Sequence, residues 1–344
     1  MRASIRLNML RFFKFLMTVA GLHAAVQCSC AQHEIFDQDV IQKWQAYEVF
    51  SHRLQGTARS KGNLDGKPQE SIKEYKQNDK CALSIEPNNR ESSLSICSLI
   101  NPHYMATISF RMPDLSNAVL QKYTPLSRDT EVSKLIEGVF CATSRHFCYG
   151  STLRLRQVVS DPSFKVTKVA KETQNGQELI RVEHTYNYVL NSANNSPHVE
   201  TNGSLWLDPS RCWCIRRLKS SAESTTRGER VSKTELEFEC ETIDHPSGFP
   251  ILKARTDHYK RFDYKTKRTN EGTTKTDYEL EVNDSLPDSE FTLSAFNLPE
   301  PAGMEPVKKP IPMYVWILIA AGVCGVMAIA FRYLARRRRP AEAT

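Results

Sequence analysis

Seven cysteines carry most of the chemistry in this sequence: Cys81, Cys97, Cys141, Cys148, Cys212, Cys214 and Cys240. Thiols can pair as disulfides, ligate soft metals or attack as thiolates. Cys212 and Cys214 form a Cys-x-Cys without a matching second pair, so the spacing of a structural zinc site is missing. His146 lies between Cys141 and Cys148, but a Cys–His nucleophile also needs a third group to orient the base, and the local sequence names none. Disulfides or buried thiols are the reading that remains. The expected pairs are Cys81 with Cys97, Cys141 with Cys148, and Cys240 with either Cys212 or Cys214, which would share one face of a strand. One thiol is left over, and spacing leaves the connectivity open.

Other residues bear on the same question. His184, Tyr186 and Tyr188 share the apolar parity of a strand with Ile180 and Val182. They read either as sheet core or as the lining of a lipid cavity. Glu235, Glu237, Glu239 and Glu241 recur at every second position, which is the pattern of a solvated strand face and not of a paired acid and base. The chain has no Walker loop, no Gly-x-Gly-x-x-Gly, no Gly-x-Ser-x-Gly and no His-Glu-x-x-His, which argues against the common enzyme classes. We therefore assign no catalytic, metal or cofactor-binding residue and expect no cofactor.

These side chains must be positioned by the elements around them. Residues 33–52 place Ile41, Trp44 and Tyr47 at helical spacing, and Gly56 is expected to end that helix. A hairpin or loop signal follows around Gly62, Gly66 and Pro68. Short extended runs follow at 71–76, 81–86, 93–99 and 104–111. Residues 115–123 and 129–141 read as helices. From Thr152 onward the period is two: Leu153 and Leu155, the run from Ile180 to Leu190, Leu205 and Leu207, residues 212–219, Leu236 to Cys240, residues 251–260, and Tyr278 to Val282. Alternation of this kind marks antiparallel strands with one buried and one wet face. About seven such strands tend to curl, and the helices are the available cover.

The ends of the chain speak to targeting. Arg2, Arg6, Arg11 and Lys14 precede a short apolar run, and Ser29-Cys30-Ala31 suits cleavage, so residues 1–31 read as a signal peptide. Residues 313–331 carry no charge and are long enough for a transmembrane helix. Arg336, Arg337, Arg338 and Arg339 then place the tail, 332–344, in the cytoplasm. Residues 32–298 become the exported domain, and the prolines of 299–312 a stiff linker. With both ends set aside the remainder is near neutral, so the net charge of +7 belongs to targeting and does not indicate a nucleic-acid surface.

The run Gly203-Ser204-Leu205-Trp206-Leu207-Asp208-Pro209 resembles a strand of the LolA, LolB and RseB superfamily of envelope proteins. The run from Leu286 to Phe291, with Phe296-Asn297-Leu298-Pro299-Glu300-Pro301, is similar to a group of uncharacterised bacterial membrane-anchored proteins. The resemblance implies an α+β fold: a curled antiparallel β-sheet, an incomplete barrel, covered by helices, with one C-terminal transmembrane helix. It also implies a domain that binds or senses a lipid, a lipoprotein or an envelope protein, tethered to the inner membrane. A structural or adaptor protein with a solid core is the alternative reading, and a thiol-dependent enzyme a further one.

Overall fold

The computed structural model describes residues 35–87, 94–111, 114–127, 136, 141–150, 153–189, 197–302 and 313–337, excepting the side chains at 114, 313–316, 319, 331 and 333–337. It divides into two units, Met1–Leu298 and Pro299–Thr344.

The first unit opens with α1 (Gln38–Ser51). Asp37 caps it by accepting a 2.9 Å hydrogen bond from the Val40 amide. This satisfies one of the donors that a helix start leaves open. Val40, Trp44, Tyr47 and Phe50 fall on one face and are buried. A meander follows: β1 (Leu54–Leu64), β2 (Lys67–Gln77), β3 (Ala82–Pro87), β4 (Leu94–Ile100), β5 (Tyr104–Arg111) and β6 (Asp114–Pro125). A crossover then carries a short ribbon, β7 (Cys148–Tyr149) and β8 (Leu153–Arg154), and a short helix, α2 (Leu155–Ser160). A second meander completes the sheet: β9 (Lys165–Gln174), β10 (Gln177–Val189), β11 (His198–Asp208), β12 (Cys214–Thr226), β13 (Glu229–Asp244), β14 (Pro250–Asp263) and β15 (Thr269–Val282).

The two meanders join edge to edge. β1 pairs antiparallel with β15 from Leu54 opposite Val282 to Leu64 opposite Gly272. The product is one 13-stranded sheet in the order β6-β5-β4-β3-β2-β1-β15-β14-β13-β12-β11-β10-β9. Glycine makes the seam possible. Gly56 lies inside β1 with φ +142°, and a Cβ there would sit 2.0 Å from the Glu279 carbonyl oxygen. Three hairpins turn on two residues with positive φ, Asp65-Gly66, Asn175-Gly176 and Arg227-Gly228. That is the geometry whose twist matches the flanking strands.

Two cores result. The larger packs α1 and the crossover against the second meander, through Trp44, Tyr47, Phe147, Phe164, Leu205 and Phe238. In the smaller, single-turn helices at Asp288–Phe291 and Leu293–Phe296 insert Phe291, Leu293 and Phe296 into the first meander. Asn101 Nδ2 donates to the Phe291 carbonyl at 2.9 Å, Leu293 N to the Tyr104 hydroxyl at 2.8 Å, and Phe296 lies 5.7 Å from the Phe110 ring. The Leu286–Phe291 motif thus anchors the end of the first unit against β5 and the turn before it.

The structure corrects the expected fold in several places. The curled, incomplete barrel of about seven strands is replaced by one open sheet of 13 strands, because β1 and β15 fuse two meanders and leave β6 and β9 as separate edges. Residues 115–123 are strand, not helix: β6 pairs with β5, and its edge exposes Val119 and Leu120. Leu155 starts a helix, not a strand. Gly56 does not end α1 but serves the strand seam. Of the helix expected at 129–141, only residues 136 and 141 lie among the described ones, and both are helical.

The second unit contains α3 (Met313–Arg337). Among the described residues no helix is long and apolar enough to cross a membrane. The expected transmembrane helix at 313–331 is corrected on that ground. The side chains of Arg336 and Arg337, and all of Arg338 and Arg339, lie outside the described residues, as do the expected signal peptide at 1–31 and most of the linker.

Candidate functional site

Alternation along β10 sends Ile180, Val182, His184 and Tyr186 into the larger core. The crossover fills the space above them. Phe164 stacks on His184 at 5.0 Å between ring centres, and Tyr149 meets His184 and Tyr186 edge-on at 5.4 and 5.9 Å. The Tyr149 hydroxyl shares a 2.8 Å hydrogen bond with His184 Nε2. Burial pulls the His184 pKa down to about 4, so the ring is neutral at pH 7. Tyr188 stacks on Tyr186 at 4.9 Å and is partly exposed. The three residues considered as a cavity lining are thus brought together, packed against aromatic rings from the crossover.

The Gly203 to Pro209 run has a local explanation. Gly203 faces His184 across β10 and β11, and a Cβ at 203 would lie 3.1 Å from His184 Cε1 and 2.7 Å from the Lys219 carbonyl oxygen. Glycine makes room for the imidazole and for close strand approach. Asp208 is fully buried and accepts from Ser210 N at 3.1 Å and Ser210 Oγ at 2.6 Å, capping the turn at Pro209–Arg211. A buried carboxylate needs such donors.

The opposite, wet face of the second meander holds a groove of about 1130 Å³. Register assembles it. One row crosses seven strands: Glu183, Ser204, Lys219, Glu237, His258, Thr273 and Asn63, each opposite the next. A parallel row two residues along comprises Thr185, Asn202, Ser221, Glu235, Lys260 and Glu271. Side chains alternate between faces along a strand, so both rows share the face that points away from Val182, Leu205 and Phe238. The row between them, which includes Gly203 and Gly272, contributes backbone to the groove floor.

Charges in the groove are interleaved. Lys219 Nζ lies 3.8 Å from Glu237, Lys233 Nζ 3.0 Å from Glu235, and His258 Nδ1 2.9 Å from Thr273 Oγ1. Arg217 beside Glu237, and Lys233 beside Glu235, hold those carboxyls below the usual range. The arrangement offers donors and acceptors at strand spacing of about 4.8 Å. That spacing suits an extended, polar, charged ligand better than an acyl chain. Among the described residues no group of three His, Cys, Asp or Glu is placed to hold a metal ion.

The cysteines among the described residues are all thiols in this structure. Cys97 lies opposite Ile85 and Ala82 opposite Ile100. Cys81 is therefore offset by four residues, roughly 13 Å along the strands, too far for the expected Cys81–Cys97 bridge. Cys212 and Cys214 do not share a strand face: Cys212 ends the Pro209–Arg211 turn with φ 53° and is partly exposed, whereas β12 begins at Cys214, which is buried. Trp44 Nε1 donates to the Cys212 carbonyl at 3.1 Å, tying α1 to this turn. Cys214 and Cys240 are both buried in the larger core and close enough to interact. Cys141 and Cys148 adjoin within the crossover. Burial raises the Cys81, Cys97 and Cys240 thiols to about 12, which suits inert core residues and not nucleophiles.

No family model and no curated protein matches the chain. Among solved structures, a DUF1329 family protein from Desulfovibrio piger is 13% identical, with 75% of this chain and 96% of that one covered at a TM-score of 0.36. A loop-deletion mutant of OmpT, an outer membrane protein of Vibrio cholerae, is 11% identical, with 66% and 98% covered at a TM-score of 0.15. MucB in complex with MucA(peri) is 8% identical, with 72% and 98% covered at 0.11. At these TM-scores none of the three carries an argument about this chain.

Proposed function

We propose that this chain is an exported, non-catalytic binding domain of the cell envelope that holds an extended segment of a protein partner in the groove across β10–β15. The observation that carries the reading is the contrast between the two faces of the sheet. The apolar face is occupied by α1, Phe164 and Tyr149, while the wet face presents two ordered rows of interleaved Lys, Glu and hydroxyl groups around an open volume. A basic start followed by an apolar run supports export. The packed apolar face favours a protein segment over a lipid or lipoprotein acyl chain.

Charge reversal tests this. The triple variant Lys219→Glu, Lys233→Glu and Lys260→Glu should keep its fold, since all three side chains are exposed, and should lose partner recovered by crosslinking in cells by tenfold or more, roughly 1.4 kcal/mol. Undiminished recovery of the same partner would count against the groove. A tightly retained lipid in native mass spectrometry of the purified chain would favour the acyl-binding reading instead.

A further inference from the structure

The crossover brings two thiols together over a short stretch of chain. Residues 141–143 are helical, Arg145–Phe147 form a tight turn, and Cys148 starts β7, its amide donating to the Arg145 carbonyl. The Cys148 thiol donates to the Ser144 carbonyl at 3.5 Å and lies within hydrogen-bonding reach of the Cys141 thiol. Both are buried. The turn between them carries much of the larger core's aromatic packing: Phe147 stacks on Tyr47 at 3.8 Å, His146 meets Tyr47 edge-on at 5.3 Å, and the Tyr47 hydroxyl lies 3.3 Å from Ser144 Oγ.

We infer that Cys141 and Cys148 are a disulfide-forming pair, which closes as the chain folds in an oxidising compartment and clamps the turn that docks on Tyr47. Geometry sets Cys81 and Cys97 aside as partners by their offset along the strands, and Cys212 sits partly exposed in the Pro209–Arg211 turn, while Cys214 and Cys240 are a separate pair of buried neighbours. The chemistry is thiol–disulfide exchange with an external disulfide. One thiolate attacks the oxidant and forms a mixed disulfide. The second then displaces the oxidant's remaining sulfur, and the two thiol protons pass to the oxidant, which leaves as two thiols. Because both sulfurs are buried in the folded chain, closure belongs to folding and not to the finished structure. The inference of when the pair closes rests on the exported reading, but the pairing itself does not.

The test is to refold the denatured full chain in a glutathione redox buffer, alkylate it and digest it with trypsin, which cuts after Arg145. The expected result is that peptides 135–145 and 146–154 stay joined until reduced. Oxidised protein should melt several degrees above reduced protein, and Cys141→Ala/Cys148→Ala should lose that difference. Separately alkylated peptides, linkage of either cysteine to another position, or a redox-dependent melting shift that survives in the double variant would each overturn the inference. Chain isolated directly from cells separates the two claims. Joined peptides after refolding but free thiols in the cellular protein would refute export and leave the pairing standing.

Discussion

Tyr149 and His184 meet in a 2.8 Å hydrogen bond that ties the crossover to the centre of β10. The contact is buried on both sides, so the imidazole must stay neutral for the two elements to remain docked. It explains why a histidine on a strand's apolar parity belongs to the core here. It also explains why its cross-strand neighbour is Gly203, which leaves space for the ring.

Acid should therefore begin to loosen the fold above the range where carboxylates titrate. Burial lowers His184 to about 4 and His146 to about 3, from an ordinary 6.5. A folded pKa depressed in this way means that the unfolded chain binds more protons between about pH 6.5 and pH 4, so stability falls as pH falls through that window and is unaffected above it. At pH 5 each histidine should cost about 2 kcal/mol relative to pH 7.5. Urea unfolding at the two pH values checks this, and His184→Gln should reduce the difference by roughly half, about 2 kcal/mol.

The seam between the two meanders should be unusually sensitive at one residue. Gly56→Ala places a methyl 2.0 Å from the Glu279 carbonyl at a φ of +142°. Separation of β1 from β15 is the only relief, and a loss of at least about 3 kcal/mol is expected. Gly66→Asn, at a hairpin φ of +77° with open space around it, should change stability by less than about 1 kcal/mol. Melting curves of both variants make the comparison.

Arg255 is a second point of failure. Its side chain is 1% exposed, lies 3.7 Å over the Phe238 ring, pairs with Asp257, and donates to the carbonyls of Arg145 at 3.4 Å and Gly150 at 3.2 Å. Burial opposes its charge, but Asp257 offsets that and leaves its pKa raised. Arg255→Met removes the link to the crossover and strands Asp257 but for its 3.9 Å contact with Arg145, so about 3–5 kcal/mol should be lost in chemical denaturation. Arg255→Met with Asp257→Leu should recover part of it, because the stranded carboxylate is gone.

Truncating Tyr47 should remove the hub of the aromatic cluster. Tyr47→Ala deletes contacts to Phe50, Phe147, His146 and Phe249 and should cost about 3–5 kcal/mol. Tyr47→Phe loses only the 3.3 Å bond to Ser144 and should cost about 1 kcal/mol. Calorimetric melting of the two variants distinguishes packing from hydrogen bonding.

Local patterns in the sequence located most of the strands and α1. The run from Ile180 to Leu190, the Leu236–Phe238–Cys240 parity and β5 at Tyr104–Arg111 follow directly from alternation. Residues 115–123 mislead because Leu115, Val119, Leu120 and Tyr123 also fit a helical repeat, and pairing with β5 decides the outcome. The seam of β1 with β15 joins residues more than 200 positions apart, and no local pattern reports it. The groove was hidden for the same reason. Glu235 and Glu237 were legible as a wet face, but that Lys219, His258 and Glu183 stand in the same row follows only from the register of five strands. Asn175-Gly176 and Asp65-Gly66 were the available signals, since two-residue turns fix the register of the hairpins they close.

A photo-crosslinking residue placed at position 258, in the middle of the groove, tests partner binding most directly when compared with one at position 39, on the exposed side of α1. In cells the groove position is expected to give one discrete protein adduct that disappears in the Lys219→Glu, Lys233→Glu and Lys260→Glu background, while position 39 gives none. Equal adducts at both positions, or an adduct at 258 that is indifferent to the charge reversals, would contradict the assignment of the groove as the binding site.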